Sequence, residues 1–326
     1  MKRIYLDQNK WIDLVGAEQG AEKAARYQDV LILARAGVQH GLASFPLSFI
    51  HYIETANRKD WQSRQALAAT MASLSRFHSI APVPALVPPE IDSALRQFFG
   101  VPLVPRQAQV FGTGVAHAFD RPFQTYRVPK DANVDPGFKY AFEQWASEVW
   151  EWTALAGFPP EAGVDESEID AWQAEVNARL AEEQERYRQI RREGRWHVGE
   201  RARRLARASA FAGWKDELTE ALDRAGLQWS HVFSLGQDGM SDFIEHLPIV
   251  HVASELQRQR EAAADKPWDP HDVNDVFFLM GALVYCDIVV TERQWEDLIK
   301  RSGLDERYQT LVLSDLVRLA PHLASP

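Results

Sequence analysis

The chain has 326 residues, of which 46% are apolar and 25% charged, values that exclude wholesale disorder, collagen and coiled-coil rods. A net charge of −10 argues against a protein that coats nucleic acid nonspecifically, and the single cysteine excludes an internal disulfide. The longest uncharged apolar run, Val276 to Cys286, has eleven residues, whereas about twenty are needed to cross a bilayer. Since the start of the chain also lacks an export signal, we expect a cytoplasmic protein without a membrane partner.

Residues 1–95 alternate between short β-prone runs and apolar residues at helical spacing. The first run ends in Asp7, and Glu54 lies on one of the predicted helices. The elements predicted here are a strand at 3–6, helices at 21–39, 46–56 and 60–78, a short buried strand at 42–45, and a proline-spaced extended stretch from Ile80 to Val87.

Residues 96–239 differ in composition from the flanking parts and predict a mainly helical insertion. Proline and glycine are frequent from 100 to 137, which indicates a long irregular connection. A helical pattern then runs from about 138 to 225, with breaks near Gly157 and Gly213.

Charge is segregated along this insertion. Residues 161–185 contain nine acids and one arginine, whereas residues 186–207 contain nine arginines and two glutamates. Two interpretations stay open: a solvated helix whose acidic part pairs with a neighbour, or a basic surface that faces RNA and includes Arg191 and Arg192.

Residues 240–326 return to alternation between helices and strands. Together with the first part, this alternation predicts an α/β fold with a parallel sheet covered by helices on both faces. The elements predicted here are helices at 242–262, 271–284 and 292–301 and strands at 288–290 and 310–313.

Several acids are predicted to meet at one edge of this sheet. Asp7 ends one strand, and Thr291 with Glu292 ends another, so residues distant in sequence can meet where ligands gather in open α/β sheets. Asp272 and Asp275 lie three residues apart near a helix start and can point the same way. Asp272 can equally be a helix cap, whereas Asp275 adjoins an apolar run and needs a partner.

Carboxylates that converge on one edge repel each other, and a cation would relieve that repulsion. Mg²⁺ and Mn²⁺ prefer oxygen ligands and keep waters that can act as nucleophiles. The cluster therefore indicates a divalent metal site of the kind that hydrolyses phosphodiester bonds.

Four motifs extend this pattern: IYLDQNKW with Asp7, FIHYIETAN with Glu54, NDVFFLMGAL with Asp275, and CDIVVTERQW with Thr291 and Glu292. In this order they resemble the PIN-domain nucleases. The resemblance covers roughly residues 1–90 and 240–326 and implies a PIN-like sheet interrupted by the insertion. Many family members carry a final acid two residues after the threonine, where this chain has Arg293; Glu292 or Asp272 would substitute for it.

The resemblance implies a divalent-metal-dependent endoribonuclease, often the toxin of a toxin-antitoxin pair, with RNA and an antitoxin as partners. On this basis the catalytic and metal-ligating residues are Asp7, Glu54, Asp275 and Glu292, with Asp272 as a further ligand of Mg²⁺ or Mn²⁺, Thr291 in support, and Arg191, Arg192 and Arg293 as RNA contacts. The alternative is a noncatalytic PIN-like scaffold that binds RNA or protein, motivated by Arg293, the insertion and its segregated charges.

Other patterns have simpler interpretations. His51 and His271 each lie near one of the acids and could build a mixed histidine and carboxylate site, but neither belongs to a recognised zinc motif. Cys286 is predicted to be a core thiol and Asp287 to be structural. Three aromatic residues flank the acids and are predicted to pack in the core rather than stack on bases: Tyr5, Trp11 and Trp295.

Overall fold

The computed structural model describes residues 1–122, 128, 129, 132–158, 199–262 and 270–323, together with the single positions 178, 182, 185 and 189. Within these ranges, side chains are described except at 199–201, 261, 262 and 270–274. The described chain contains a small parallel sheet surrounded by helices, with a separate two-stranded antiparallel ribbon.

The strands are β1 (Lys2–Leu6), β2 (Ala43–Ser44), β3 (His78–Ile80), β4 (Phe111–Thr113), β5 (Ile288–Val290) and β6 (Leu311–Leu313). Four of them form the parallel sheet in the order β2-β1-β5-β6, and β3 pairs with β4. The centre of the sheet joins the two ends of the chain, because β1 pairs with β5 with Leu6 opposite Val290. The predicted α/β class with a parallel sheet is therefore confirmed.

The α-helices that the structure describes are α1 (Gln8–Glu18), α2 (Gln28–Gln39), α3 (Phe49–Ala56), α4 (Trp61–Ser75), α5 (Val83–Phe99), α6 (Gly114–Phe119), α7 (Pro136–Ala156), α8 (Gly199–Ala212), α9 (Lys215–Ala225), α10 (Trp229–Ser234), α11 (Gly236–Glu245), α12 (Pro248–Ala262), α13 (Pro270–Tyr285), α14 (Arg293–Ser302), α15 (Leu304–Tyr308) and α16 (Ala320–Leu323). Short 3-10 helices occupy Glu22–Tyr27 and Leu316–Leu319. Within the described residues, no helix has both the length and the apolar character to cross a membrane.

The sheet separates two hydrophobic cores, because successive strand residues point to opposite faces. On one face, Tyr5 and Val289 belong to the core that includes α5, α12 and α13. On the other, Ile4, Leu6 and Val290 belong to the core that includes α1, α2 and α4. Burial on both faces fixes the register of β1 against β5, since a one-residue slip would exchange every inward side chain.

The prediction of an extended stretch from Ile80 to Val87 is wrong. Ile80 ends β3, and α5 begins at Val83 with Pro88 and Pro89 inside it. Each proline lacks an N–H and weakens the helix locally, but the apolar face of α5 is fully buried, and this packing outweighs the missing hydrogen bonds. The buried residues of that face are Leu86, Val87, Ile91 and Leu95.

Other boundaries shift for local reasons. The predicted helix at 242–262 is divided into α11 and α12, since Pro248 has no N–H and starts a new helix. The helix predicted from Pro46 begins at Phe49, after the cap residue Ser48. The breaks near Gly157 and Gly213 are confirmed, and the φ angle of 76° at Gly157 lies in a region that glycine adopts readily.

The described helices of the middle region pack against helices from the flanking parts. Helix α7 contacts α3 and α4, α8 contacts α12, and α9 contacts α5. The division into residues 1–95, 96–239 and 240–326 stays a prediction.

A buried ion-pair cluster joins the irregular connection after α5 to helix α9. Asp92 on α5 is fully buried, and its carboxylate accepts hydrogen bonds from the backbone N–H and the guanidinium of Arg106 at 2.9 and 3.0 Å. Arg224 of α9 also bonds to Asp92. The exposed Glu220 contacts both arginines at the rim of the cluster.

We expect Asp92→Ala to lower the free energy of unfolding by about 3 kcal/mol, because it leaves two arginines without their buried partner. Glu220→Ala is the control and should cost less than about 1 kcal/mol, since its contacts are solvent-exposed. Urea unfolding of both variants measures the difference. Equal effects would contradict the assignment of Asp92 as the centre of the cluster.

Candidate active site

Asp7 and Thr291 lie side by side at the carboxyl ends of the two central strands. The Asp7 N–H continues the ladder to the Val290 carbonyl at 2.9 Å, and the Thr291 hydroxyl donates to Asp7 Oδ2 at 3.3 Å. Asp7 is 4% exposed, and Thr291 is fully buried. The pairing of β1 with β5 thus brings together residues from opposite ends of the chain, as predicted from the strand ends.

Glu292 follows Thr291 and occupies the cap position before α14. The amide Nδ2 of Asn9, on the first turn of α1, donates to Glu292 Oε1 at 2.6 Å. Like the bond between Thr291 and Asp7, this hydrogen bond joins a residue that follows β5 to one near the carboxyl end of β1. It therefore places Glu292 beside Asp7 across the edge of the sheet.

Asp275 reaches this region from α13. Its Oδ2 accepts a hydrogen bond from the indole Nε1–H of Trp295 at 2.6 Å. Trp295 lies in α14, three residues after Glu292, and its side chain is fully buried. The bond therefore fixes α13 against the helix that begins at the site.

Glu54 lies on α3, which is attached to the corner between β1 and α1 at two points. The buried His51 donates through Nε2 to the carbonyl of Leu6, the last residue of β1, at 2.8 Å. The Gln8 amide donates to the hydroxyl of Thr55 at 3.2 Å. Glu54, between these two anchors in sequence, is held beside the end of β1.

His51 is a structural residue rather than a metal ligand. Its Nδ1 accepts the backbone N–H of Ser48 at 2.9 Å while Nε2 donates to Leu6, so both ring nitrogens are engaged. Burial lowers the pKa of His51 to about 4, which keeps the ring neutral. The histidine alternative is therefore wrong at this position, and the His271 side chain lies outside the described residues.

Asp7, Glu54 and Asp275 have raised pKa values, in part because of the charges of neighbouring acids. Burial and then the charge of Glu292 raise the pKa of Asp7 to about 6, and burial and then Asp7 raise that of Glu54 to about 7. The pKa of Asp275 is raised to about 8, first by burial and then by Asp7, with smaller contributions from Glu292 and Glu54. Four carboxyl groups thus lie in one partly buried field, as expected where like charges share a site.

The chemistry of this donor set fits a hard divalent cation, because all four groups offer carboxylate oxygens and a positive charge would relieve their repulsion. Among the side chains that the structure describes, no three His, Cys, Asp or Glu residues are close enough together to hold an ion as they stand.

The remaining predicted residues have different placements. Arg293 is the exposed first residue of α14. The side chain of Asp272 and residues Arg191 and Arg192 lie outside the described part of the chain. Asp287, at the opposite end of β5, accepts the N–H of Arg3 at 2.7 Å, which agrees with its predicted structural role.

The core interpretation of the flanking aromatic residues is confirmed. Tyr5, Trp11 and Trp295 are each at most 1% exposed, and Cys286 is buried. Two hydrogen bonds to site acids are not predicted from the sequence: Asn9 donates to Glu292, and Trp295 donates to Asp275. The only signal in the sequence was the polar atom carried by an otherwise buried Trp295, which needs a partner in a core.

The metal-free protein should lose stability as pH rises from about 6.5 to 8.5. A carboxyl whose folded pKa is raised holds its proton after the unfolded chain has released it, so stability falls until the folded pKa is passed. Asp275 and Glu54 have folded pKa values of about 8 and 7. A third acid outside the site, Glu90 on α5, has a pKa of about 7 because it is buried. His51 and His251 act in the opposite sense, but only below about pH 6.5, the ordinary histidine value.

Thermal unfolding with a chelator present, followed by circular dichroism at several pH values, measures this slope. Asp275→Asn should flatten it above neutral pH, because the amide does not titrate. A melting temperature that rises steadily over this interval would contradict the placement of buried acids at the sheet edge.

The site as a whole consists of four acids around the carboxyl ends of β1 and β5. Asp7 accepts a hydrogen bond from Thr291, directly after β5, and Asp275 accepts one from Trp295 in the first turn of α14. Comparison of the chain with protein-family models, with curated proteins and with solved structures found no match.

Proposed function

We propose that this protein is a divalent-metal-dependent endoribonuclease with a PIN-like fold. The observation that supports it best is the meeting of Asp7 and the β5 end at one edge of a parallel sheet, with Asp275 bonded to the helix that starts there. Ligand sites in open α/β sheets occur at such edges. The choice of RNA as substrate, and of an antitoxin as partner, comes from the resemblance in sequence.

In this proposal Asp7, Glu54, Asp275 and Glu292 hold Mg²⁺ or Mn²⁺. When bound, the cation supplies a water of lowered pKa and neutralises charge on the phosphate oxygens. Thr291 orients Asp7 through its hydroxyl. Asp272 precedes Asp275 by three residues on α13 and stays a further proposed ligand on the basis of the sequence.

The chain's own acids also handle the proton of the reaction. Hydrolysis forms a bond from the water oxygen to phosphorus and breaks the bond from phosphorus to the leaving ribose oxygen, which takes up a proton from solvent water. A carboxylate at hydrogen-bond distance from the attacking water accepts its proton. We assign this step to the oxygen of Glu54 that does not bind the cation, because Glu54 on α3 lies beside the end of β1 next to Asp7.

Glu292 takes the place of the acid that many PIN nucleases carry one residue later. It occupies the position before α14 and accepts a hydrogen bond from the Asn9 amide, whereas Arg293 is exposed. Its charge acts on both Asp7 and Asp275. An exposed cation beside an acidic site would attract the phosphate backbone, which is the role we assign to Arg293.

Purified protein incubated with Mn²⁺ and a mixed-sequence RNA should cleave it, and Asp7→Asn or Asp275→Asn should slow cleavage by about a hundredfold or more, because each removes a charged ligand. The products, separated on a denaturing gel, give the initial rate. A chelator should abolish cleavage by the unaltered protein.

The matched control is Asp287→Asn, which changes the same residue type at the opposite end of β5. Its cleavage rate should stay within about twofold of the unaltered protein, because surface changes away from a site have small effects. Cleavage that survives both active-site changes would reject the site. A protein that binds RNA but neither cleaves it nor binds Mn²⁺ would favour the noncatalytic scaffold.

A further inference from the structure

Among the residues that the structure describes, the buried indole N–H of Trp295 donates to one acceptor, the carboxylate of the site residue Asp275. An indole N–H that leaves water needs an acceptor, because its lost hydrogen bond is otherwise uncompensated. Trp295 is fully buried and donates to Asp275 Oδ2 at 2.6 Å. Trp11 is equally buried, yet its indole nitrogen has no partner among the described residues. Burial alone therefore does not account for the bond to Asp275.

The indole ring is fixed by the packing around it. Trp295 belongs to the core cluster that includes Leu279 and Leu283 of α13 and Ile299 of α14. Close-packed side chains hold one rotamer on average, so the direction of the Nε1–H bond is set before any ligand arrives. The indole ring therefore fixes the carboxylate of Asp275 relative to α14.

Asp275 needs such a partner because its neighbours repel it. The charges of Asp7, Glu292 and Glu54 all act on its carboxylate. A free side chain in this field would rotate away from the other acids. Trp295 binds Oδ2, and no side chain within the described ranges donates to Oδ1.

The same short segment also holds the second aspartate. Thr291 donates to Asp7, and Trp295, four residues later, donates to Asp275. Glu292 lies between these two donors and belongs to the cluster itself. The segment from Thr291 to Trp295, which leaves β5 and forms the first turn of α14, thus bonds to acids that come from opposite ends of the chain.

We propose that Trp295 is a positioning residue of the metal site, whose indole N–H holds Oδ2 of Asp275 and leaves Oδ1 for the cation. This inference rests on the proposed function, since it assigns a role toward the same cation. Groups that orient a metal ligand through a hydrogen bond commonly change metal affinity by about 10- to 100-fold when removed.

The first test compares two tryptophan variants. Trp295→Phe keeps an aromatic ring and removes the donor, and it should raise the dissociation constant for Mn²⁺ by about tenfold or more. Trp229→Phe is the matched control, because Trp229 donates its indole N–H to Thr219 Oγ1 at 3.1 Å on other helices. Its Mn²⁺ affinity should equal that of the unaltered protein, measured by calorimetry.

The second test follows the indole itself by ¹H–¹⁵N NMR. The chain has eleven tryptophans, and the Trp295 signal is identified by its loss in Trp295→Phe. It should shift in Asp275→Asn, shift on addition of Mg²⁺, and disappear at substoichiometric Mn²⁺, because a paramagnetic ion a few ångströms away broadens it. If Trp295→Phe does not fold, benzothienylalanine can replace the tryptophan at position 295, because it keeps the ring shape and lacks the N–H. The Mn²⁺ dissociation constant of that variant then gives the result of the first test.

The possible failures are distinguishable. Equal Mn²⁺ affinity in the unaltered protein and in the folded variant without the N–H would overturn the role of Trp295 and leave the proposed function intact. If the chemical shift of the Trp295 indole N–H changes neither in Asp275→Asn nor on addition of Mg²⁺, the positioning role of Trp295 is overturned as well. Absence of Mn²⁺ binding to the unaltered protein would reject the proposed function, and the positioning role with it.

Discussion

The placement of four acids in one partly buried field is the constraint on which the rest of the site depends. Removing carboxylates from water and setting them side by side costs stability, which appears as raised pKa values at Asp7, Glu54 and Asp275. Natural proteins keep such unfavourable arrangements mainly where they serve a function. A divalent cation offsets this cost directly.

The acids are held in place by the pairing of β1 with β5 and by two hydrogen bonds from buried side chains. Hydrogen bonds between β1 and β5 bring the two chain ends together, and burial on both faces of the sheet fixes their register. His51 attaches α3 to the last residue of β1, and Trp295 attaches α13 to α14. Every donor in these contacts is a neutral N–H group, so none of them neutralises the negative charge that would attract a cation.

The sequence predicted the sheet and its edge better than the details of the site. β1 and β5 are recognisable because each is a short β-prone run followed by an acid or by Thr291 and Glu292, and a parallel sheet brings such ends together. The helix from Val83 was missed because its prolines oppose local helix formation, and only its buried face, visible in three dimensions, outweighs them. The bond from Trp295 to Asp275 joins residues of two helices, and no spacing rule predicts that contact.

Diffraction from crystals soaked in Mn²⁺, with anomalous scattering recorded at the manganese edge, would locate the bound cation. We expect one anomalous peak at the carboxyl ends of β1 and β5, within about 2.5 Å of oxygens from both Asp7 and Asp275. An occupied peak elsewhere on the chain, or none at this edge at millimolar Mn²⁺, would contradict this expectation.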